Sequence, residues 1–133
     1  GVKDATGDVS RVSDIRLSCG TNFIQLSGND EIALGFNAHG GVGCISVIAN
    51  VAPKLSAEFQ NSMLEGNYNN AIKIQDKLIK LCRAAFLEPN PCPIKYALSK
   101  LNLAKNEVRS PLVVVDSETE KVMDEALRYA GII

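Results

Sequence analysis

The sequence predicts an α/β fold in which about three βα units are followed by helices. Short apolar runs at positions 1–3, 23–26 and 44–48 alternate with segments of helical spacing. Beyond Asn50 only the helical spacing continues. The 133 residues suffice for one ordinary domain. They fall short of the roughly 250 that close an eight-stranded barrel of such units.

Gly1-Val2-Lys3 reads as the first strand, and Thr6-Gly7-Asp8 as the turn after it, with Asp8 as a helix N-cap. Val9, Val12, Ile15 and Cys19 then share one helix face, and Gly20 stops the helix. Phe23-Ile24-Gln25-Leu26 is the second strand, ended by Ser27-Gly28-Asn29. Asp30 caps a second helix that carries Ile32, Ala33 and Phe36 on one side and closes at Gly40-Gly41. Cys44-Ile45-Ser46-Val47-Ile48 is the third strand, almost wholly apolar. Strands of this kind belong to buried parallel sheets whose crossovers are helices.

Four helices are predicted next. Leu55, Phe59 and Met63 line one that ends at Gly66. Ala71, Ile74, Leu78, Leu81 and Ala85 line a longer one running to about Phe86. Residues 88–93 form a proline-stiffened connector, and Pro93 opens a helix with Ile94, Ala97, Leu98 and Leu101 on its inner face. Leu112-Val113-Val114-Val115 reads as extended. Ser117 to Glu120 has capping-box spacing, ahead of a face of Val122, Met123, Ala126, Leu127 and Ala130. Residues 1–52 are therefore expected to be the last three βα units of a (β/α)8 barrel, and residues 53–133 a C-terminal helical domain.

Composition narrows the function classes. Fourteen Lys and Arg stand against fifteen Asp and Glu, a net charge of −1, so nothing draws the chain to nucleic acid or to an anionic membrane. An apolar content of 46% argues for a packed core and against disorder. Cys19, Cys44, Cys82 and Cys92 lie far apart, with no C-x-x-C pair and a single His. That argues against a zinc site and a disulfide scaffold, and fits a reduced, cytoplasmic protein with buried thiols. The chain opens without Met or a signal sequence and is expected to be part of a longer one.

In a barrel of this kind functional groups gather at the C-terminal ends of strands, here Lys3-Asp4, residues 27–30 and Ile45-Ser46-Val47. A lysine inside an apolar strand is costly unless paired or neutral, and a neutral amine is a nucleophile toward carbonyl carbon. A surface lysine at a chain end is the competing reading, which local sequence by itself favours. Gly28 suits close approach of a ligand, and a turn explains it equally. Gly40-Gly41-Val42-Gly43 precedes a strand instead of opening a helix, so it lacks the geometry of a phosphate loop. Asp30 and Glu31 read as helix-start carboxylates and His39 as a helix-end partner of the dipole.

Four stretches together resemble the dihydrodipicolinate synthases (4-hydroxy-tetrahydrodipicolinate synthases). They are Gly1 to Asp8, Leu26 to Asp30, Gly43 to Pro53 and Glu88 to Lys95. The resemblance runs through the whole chain and matches the C-terminal part of the TIM-barrel enzymes. The related N-acetylneuraminate lyases share the strand lysine, but the stretches from Lys3 to Gly7 and from Ile45 to Pro53 look more like the synthases. Ile48, Cys92 and Tyr96 depart from the residues usual at their positions.

By this resemblance Lys3 is the Schiff-base lysine that condenses with pyruvate. The resulting enamine attacks aspartate 4-semialdehyde, in diaminopimelate and lysine biosynthesis. Ile45 matches the position whose backbone lies against pyruvate, and Gly28 the pocket wall. No metal or organic cofactor is implied, and a homo-oligomer, commonly a tetramer, is. The family's proton-relay and carboxylate-binding groups fall in earlier strands, outside these residues. Tyr68, Tyr96 and Tyr129 lie in the trailing helices and do not replace them. Two other readings stay open: a related pyruvate-dependent aldolase such as a sialic acid lyase, and a truncated, non-catalytic piece acting only in assembly.

Overall fold

The computed structural model describes residues 1–133. Its elements are β1 (Val2–Asp4), α1 (Arg11–Cys19), β2 (Gln25–Ser27), α2 (Ala33–Ala38), α3 (Pro53–Leu64), α4 (Tyr68–Ala84), α5 (Cys92–Lys100) and α6 (Ser117–Tyr129). Single 3-10 turns at Asp30–Ile32 and Ile48–Asn50 lead into α2 and toward α3. No helix is long and apolar enough to cross a membrane.

β1 and β2 pair in parallel, Val2 opposite Gln25, Lys3 opposite Leu26 and Asp4 opposite Ser27, with α1 as the crossover. The expected third strand does not form as such. Pairing beside β2 is confined to a bridge at Ser27 and Cys44, with Val42 N–H donating to Gln25 O at 3.0 Å and Ile45 N–H to Ser27 O at 2.8 Å. Further along, the Val47 and Ile48 amides, which a ladder would need, donate to the Asp30 carboxylate instead. The chain then tightens into the turn at Ile48–Asn50. So the third βα unit is present in outline but shifted toward Val42, and it stops early.

The helices follow their periodicity. Ala71, Ile74, Leu78 and Leu81 of α4, Phe59 and Met63 of α3, Ile94 and Ala97 of α5, and Met123, Ala126 and Leu127 of α6 are all buried. They belong to one apolar cluster that also contains Ala33, Ile48, Val51 and Ala52. Because that single core runs across residue 52, the helices that follow do not stand apart as a separate helical domain in this chain.

Three local expectations need correction. Val122 is exposed, since the inner face of α6 is narrower than its apolar spacing suggests. Asp8 does not cap α1: the helix begins after Ser10, and Asp8 Oδ1 accepts from the Ser10 amide at 2.9 Å. The cap of α6 is Asp116 and not Ser117: its Oδ1 accepts from Glu118 N–H at 3.0 Å and Thr119 N–H at 2.8 Å. Ser117 is already inside the helix and has no cap to make.

The apolar strand residues lack cover. Ile24 is 58% exposed and Ile45 48%, while Val2, Leu26 and Val47 are only half-buried.

The position of the α6 cap sets a prediction. Asp116→Ala should destabilise the protein by about 1 kcal/mol in urea unfolding, and Ser117→Ala by no more than about 0.5 kcal/mol. The reverse ranking would restore Ser117 as the cap.

Candidate active site

Lys3 is the middle residue of β1, and side chains along a strand alternate between faces. Its neighbour Asp4 turns inward and is buried, 5% exposed. Asp4 Oδ1 accepts from the Thr6 amide at 2.8 Å and the Thr6 hydroxyl at 2.6 Å, and Oδ2 from Arg11 Nε at 2.8 Å. The carboxylate therefore closes the turn after β1 and ties it to the first turn of α1. Asp4 is a brace, and by bracing it fixes the opposite face, where Lys3 points.

Gly28 follows β2 and donates its N–H to Asp4 O at 2.6 Å, which extends the pairing past Ser27. A Cβ on Gly28 would lie 2.9 Å from Lys3 Cε and 2.7 Å from Ala5 Cβ. Only a residue without a side chain lets the lysine stem lie across the end of β2. Gly28 has no left-handed φ, so close approach, and not backbone conformation, is what calls for glycine here.

Cys44 and Ile45 complete the arrangement. Burial foremost, then the Asp30 carboxylate, push the Cys44 thiol up to about 12, while the Lys3 ammonium and Ser27 pull the other way. Ile45 follows directly, its amide held by Ser27 O and its side chain exposed. Lys3 lies against Gly28, and Ile45 follows the bridge at Ser27 and Cys44. The Lys3 side chain is exposed, as the local sequence by itself favours.

The residue that sequence reading misplaced is Asp30. Its carboxylate makes no cap bond to its own helix. It accepts from Val47 N–H at 2.9 Å, Ile48 N–H at 3.3 Å and Cys44 Sγ at 3.7 Å. No local pattern could show this, since the partners lie 14 to 18 positions away. Behind this loop lies a cavity of about 260 Å³ with Asp30, Cys44, Ser46, Phe59, Leu78 and Cys82 among its walls. Neither Lys3 nor Ile45 lines it.

The weaker candidates have structural duties. His39 ends α2 with Nδ1 2.8 Å from Gly35 O, and Arg16 donates to His39 O at 2.7 Å. Gly41 packs under the Phe36 ring, with no space for a phosphate. Tyr96 O–H donates to Asp124 at 3.0 Å, and Tyr68 and Tyr129 belong to α4 and α6. Cys82 and Cys92 are buried as expected, whereas Cys19 is exposed because α1 buries only Val12 fully. No three Asp, Glu, His or Cys side chains converge as a metal site would require.

Residues 1–130 match the profile of the Dihydrodipicolinate synthetase family. The chain belongs to that family. Its curated relatives include 4-hydroxy-tetrahydrodipicolinate synthases of Ruegeria pomeroyi, 59% identical, and Brucella suis, 56% identical; both comparisons cover all of this chain and 46% and 45% of the relative. Among solved structures, dihydrodipicolinate synthase from Thermotoga maritima superimposes with a TM-score of 0.94 at 32% identity, over all of this chain and 46% of that one. The chloride-inhibited dihydrodipicolinate synthase from Acinetobacter baumannii, complexed with pyruvate, gives 0.94 at 34% identity and the same coverage. The chain thus spans less than half the length of these synthases. What it shares with them is a piece of their TIM-barrel fold.

Within this family member the brace at Asp4 has a measurable signature. The Thr6 hydroxyl first, then the Arg11 guanidinium and the Thr6 amide, hold the Asp4 carboxyl at about 2, against an ordinary 3.8. The unfolded chain therefore takes up the proton before the folded one does. The stabilisation is fully present above about pH 4 and is lost as pH falls toward 2. Asp4→Asn should lower the urea midpoint at pH 5 and converge with the unaltered protein near pH 2. A constant offset across that window would refute the brace.

Proposed function

We propose that this chain carries the nucleophilic part of a lyase that condenses pyruvate with aspartate 4-semialdehyde, in lysine biosynthesis by way of diaminopimelate. The observation that carries the reading is the placement of Lys3 within β1, its stem against Gly28, in a member of a family with a pyruvate-complexed structure. The Lys3 amine attacks C2 of pyruvate and water leaves, giving an imine. The imine nitrogen draws off the electron pair released when a methyl proton departs, and the resulting enamine attacks the aldehyde carbon. The lysine imine is its own electron sink, so no metal or organic cofactor enters the scheme. Gly28 leaves room for the lysine stem, and the Ile45 backbone forms a wall against pyruvate. The complete enzyme works in the cytoplasm as a homo-oligomer, a tetramer in this reading.

Sodium borohydride added with pyruvate should leave a reduced three-carbon adduct on Lys3 of the protein at its full natural length, read by peptide mass spectrometry. Lys3→Arg should abolish it, since a guanidinium stays charged and forms no imine. An adduct that survives in Lys3→Arg, or maps to Lys54 or Lys95, overturns the assignment.

The 133 residues on their own should show no turnover. General acid–base help is worth about 10²–10⁴-fold, and no tyrosine or histidine of this chain stands beside Lys3 to give it. Condensation by the mass-verified 133-residue chain would show that such help is dispensable.

A further inference from the structure

Asp30 is a buried carboxylate, 9% exposed, with no lysine or arginine paired to it. A carboxylate held out of water without a counter-charge is costly unless hydrogen-bond donors replace the water. Here the donors are the Val47 and Ile48 amides on Oδ2, at 2.9 and 3.3 Å, with the Cys44 thiol on Oδ1 at 3.7 Å. Cys44 precedes Ile45-Ser46 and Val47-Ile48 follows them, so one side chain grips this dipeptide on both flanks.

Little else holds that segment. The Ile45 side chain is exposed, and the Ile45 amide has a single bond, to Ser27 O. The Ser46 hydroxyl is turned forward, accepting from Ala49 N–H at 2.9 Å. Asp30 is itself anchored from the helical side, where Gln75 Nε2 of α4 donates to Asp30 O at 3.2 Å. A chain of contacts therefore runs from α4 through Asp30 to the segment that carries Ile45 and Ser46.

We propose that Asp30 is a positioning residue whose carboxylate, by accepting the Val47 and Ile48 amides, fixes the Ile45-Ser46 wall against which pyruvate meets Lys3. The proposal rests on the lyase reading above. Asp30 touches main chain, so it acts through Ile45 and takes no part in the bond changes. What it sets is the fit of pyruvate before the amine attacks. A wall displaced by about 1 Å is enough to cost one to two powers of ten in a positioned reaction.

The test is pyruvate-dependent borohydride trapping in the full-length protein bearing Asp30→Leu or Asp30→Asn, with amide hydrogen exchange at Val47 and Ile48 read in parallel. Leucine keeps the bulk and removes both acceptors. Asparagine can turn its remaining carbonyl oxygen toward the two amides. Asp30→Leu should raise the half-saturating pyruvate concentration by about tenfold or more and speed exchange at Val47 and Ile48, leaving the adduct yield at saturation nearly unchanged. Asp30→Asn should stay within about threefold of the unaltered protein. Should the leucine variant not fold, Asp30→Ala makes the same deletion without added apolar bulk, and the same outcome is expected of it. Unchanged pyruvate dependence in the acceptor-less variant, despite faster exchange, overturns the positioning role alone. A loss of adduct yield with no change in half-saturation marks a merely structural role and overturns it too. Equal weakening in Asp30→Asn would show that charge matters and amide acceptance does not. If the unaltered protein forms no adduct at any pyruvate concentration, the lyase reading itself fails and takes the positioning role with it.

Discussion

The site depends on one close approach, the stem of Lys3 lying across Gly28. Parallel pairing of β1 with β2 brings the two strands to the same end, and the bond from Gly28 N–H to Asp4 O closes the pair just beyond the lysine. Any Cβ at position 28 would sit within 3 Å of Lys3 Cε. Steric emptiness at one position therefore leaves room for a flexible four-carbon chain across the strand end. Asp4 supplies the other half of the constraint. With its carboxylate locked to Thr6 and Arg11, β1 cannot roll, and a strand that cannot roll presents its alternate residue in one direction only.

The helices contribute to this arrangement from outside it. Their apolar faces share one core with Ala33, Ile48 and Val51, the residues that flank the loop segments of the site. Gln75 reaches from α4 to the backbone of Asp30, and Asp30 reaches on to the loop that carries Ile45. The division between a barrel portion that does chemistry and a helical portion that does something else is thus not visible in the packing. The α4 surface is part of the scaffold that positions Ile45. By contrast, Ile24 and Ile45 are left uncovered.

Helices were legible in the sequence because their information is local. Ala71, Ile74, Leu78 and Leu81 repeat at helical spacing, and each is buried where the spacing put it. The parallel strands were legible from their apolar content, and the approach of Lys3 to Gly28 from the rule that strand ends gather function. The role given to Lys3 came from resemblance, since a lysine in a short apolar run looks the same whether it is a nucleophile or a surface residue. What could not be read was set by long-range competition. The third strand stops because Asp30, 17 positions earlier, takes the Val47 amide. The carboxylate that looked like a helix cap is spent on another segment altogether. At α6 two neighbouring residues could each cap, and the choice of Asp116 over Ser117 was decided by where the helix begins.

A crystal structure of the full-length protein after pyruvate and borohydride would test the central claim most directly. The account predicts continuous density from Lys3 Nζ into a three-carbon carboxylate lying between Gly28 and the Ile45 backbone, with the Asp30 bonds to Val47 and Ile48 intact. Pyruvate bound without a covalent link, or an adduct on Lys3 directed away from Gly28 and Ile45, would contradict it.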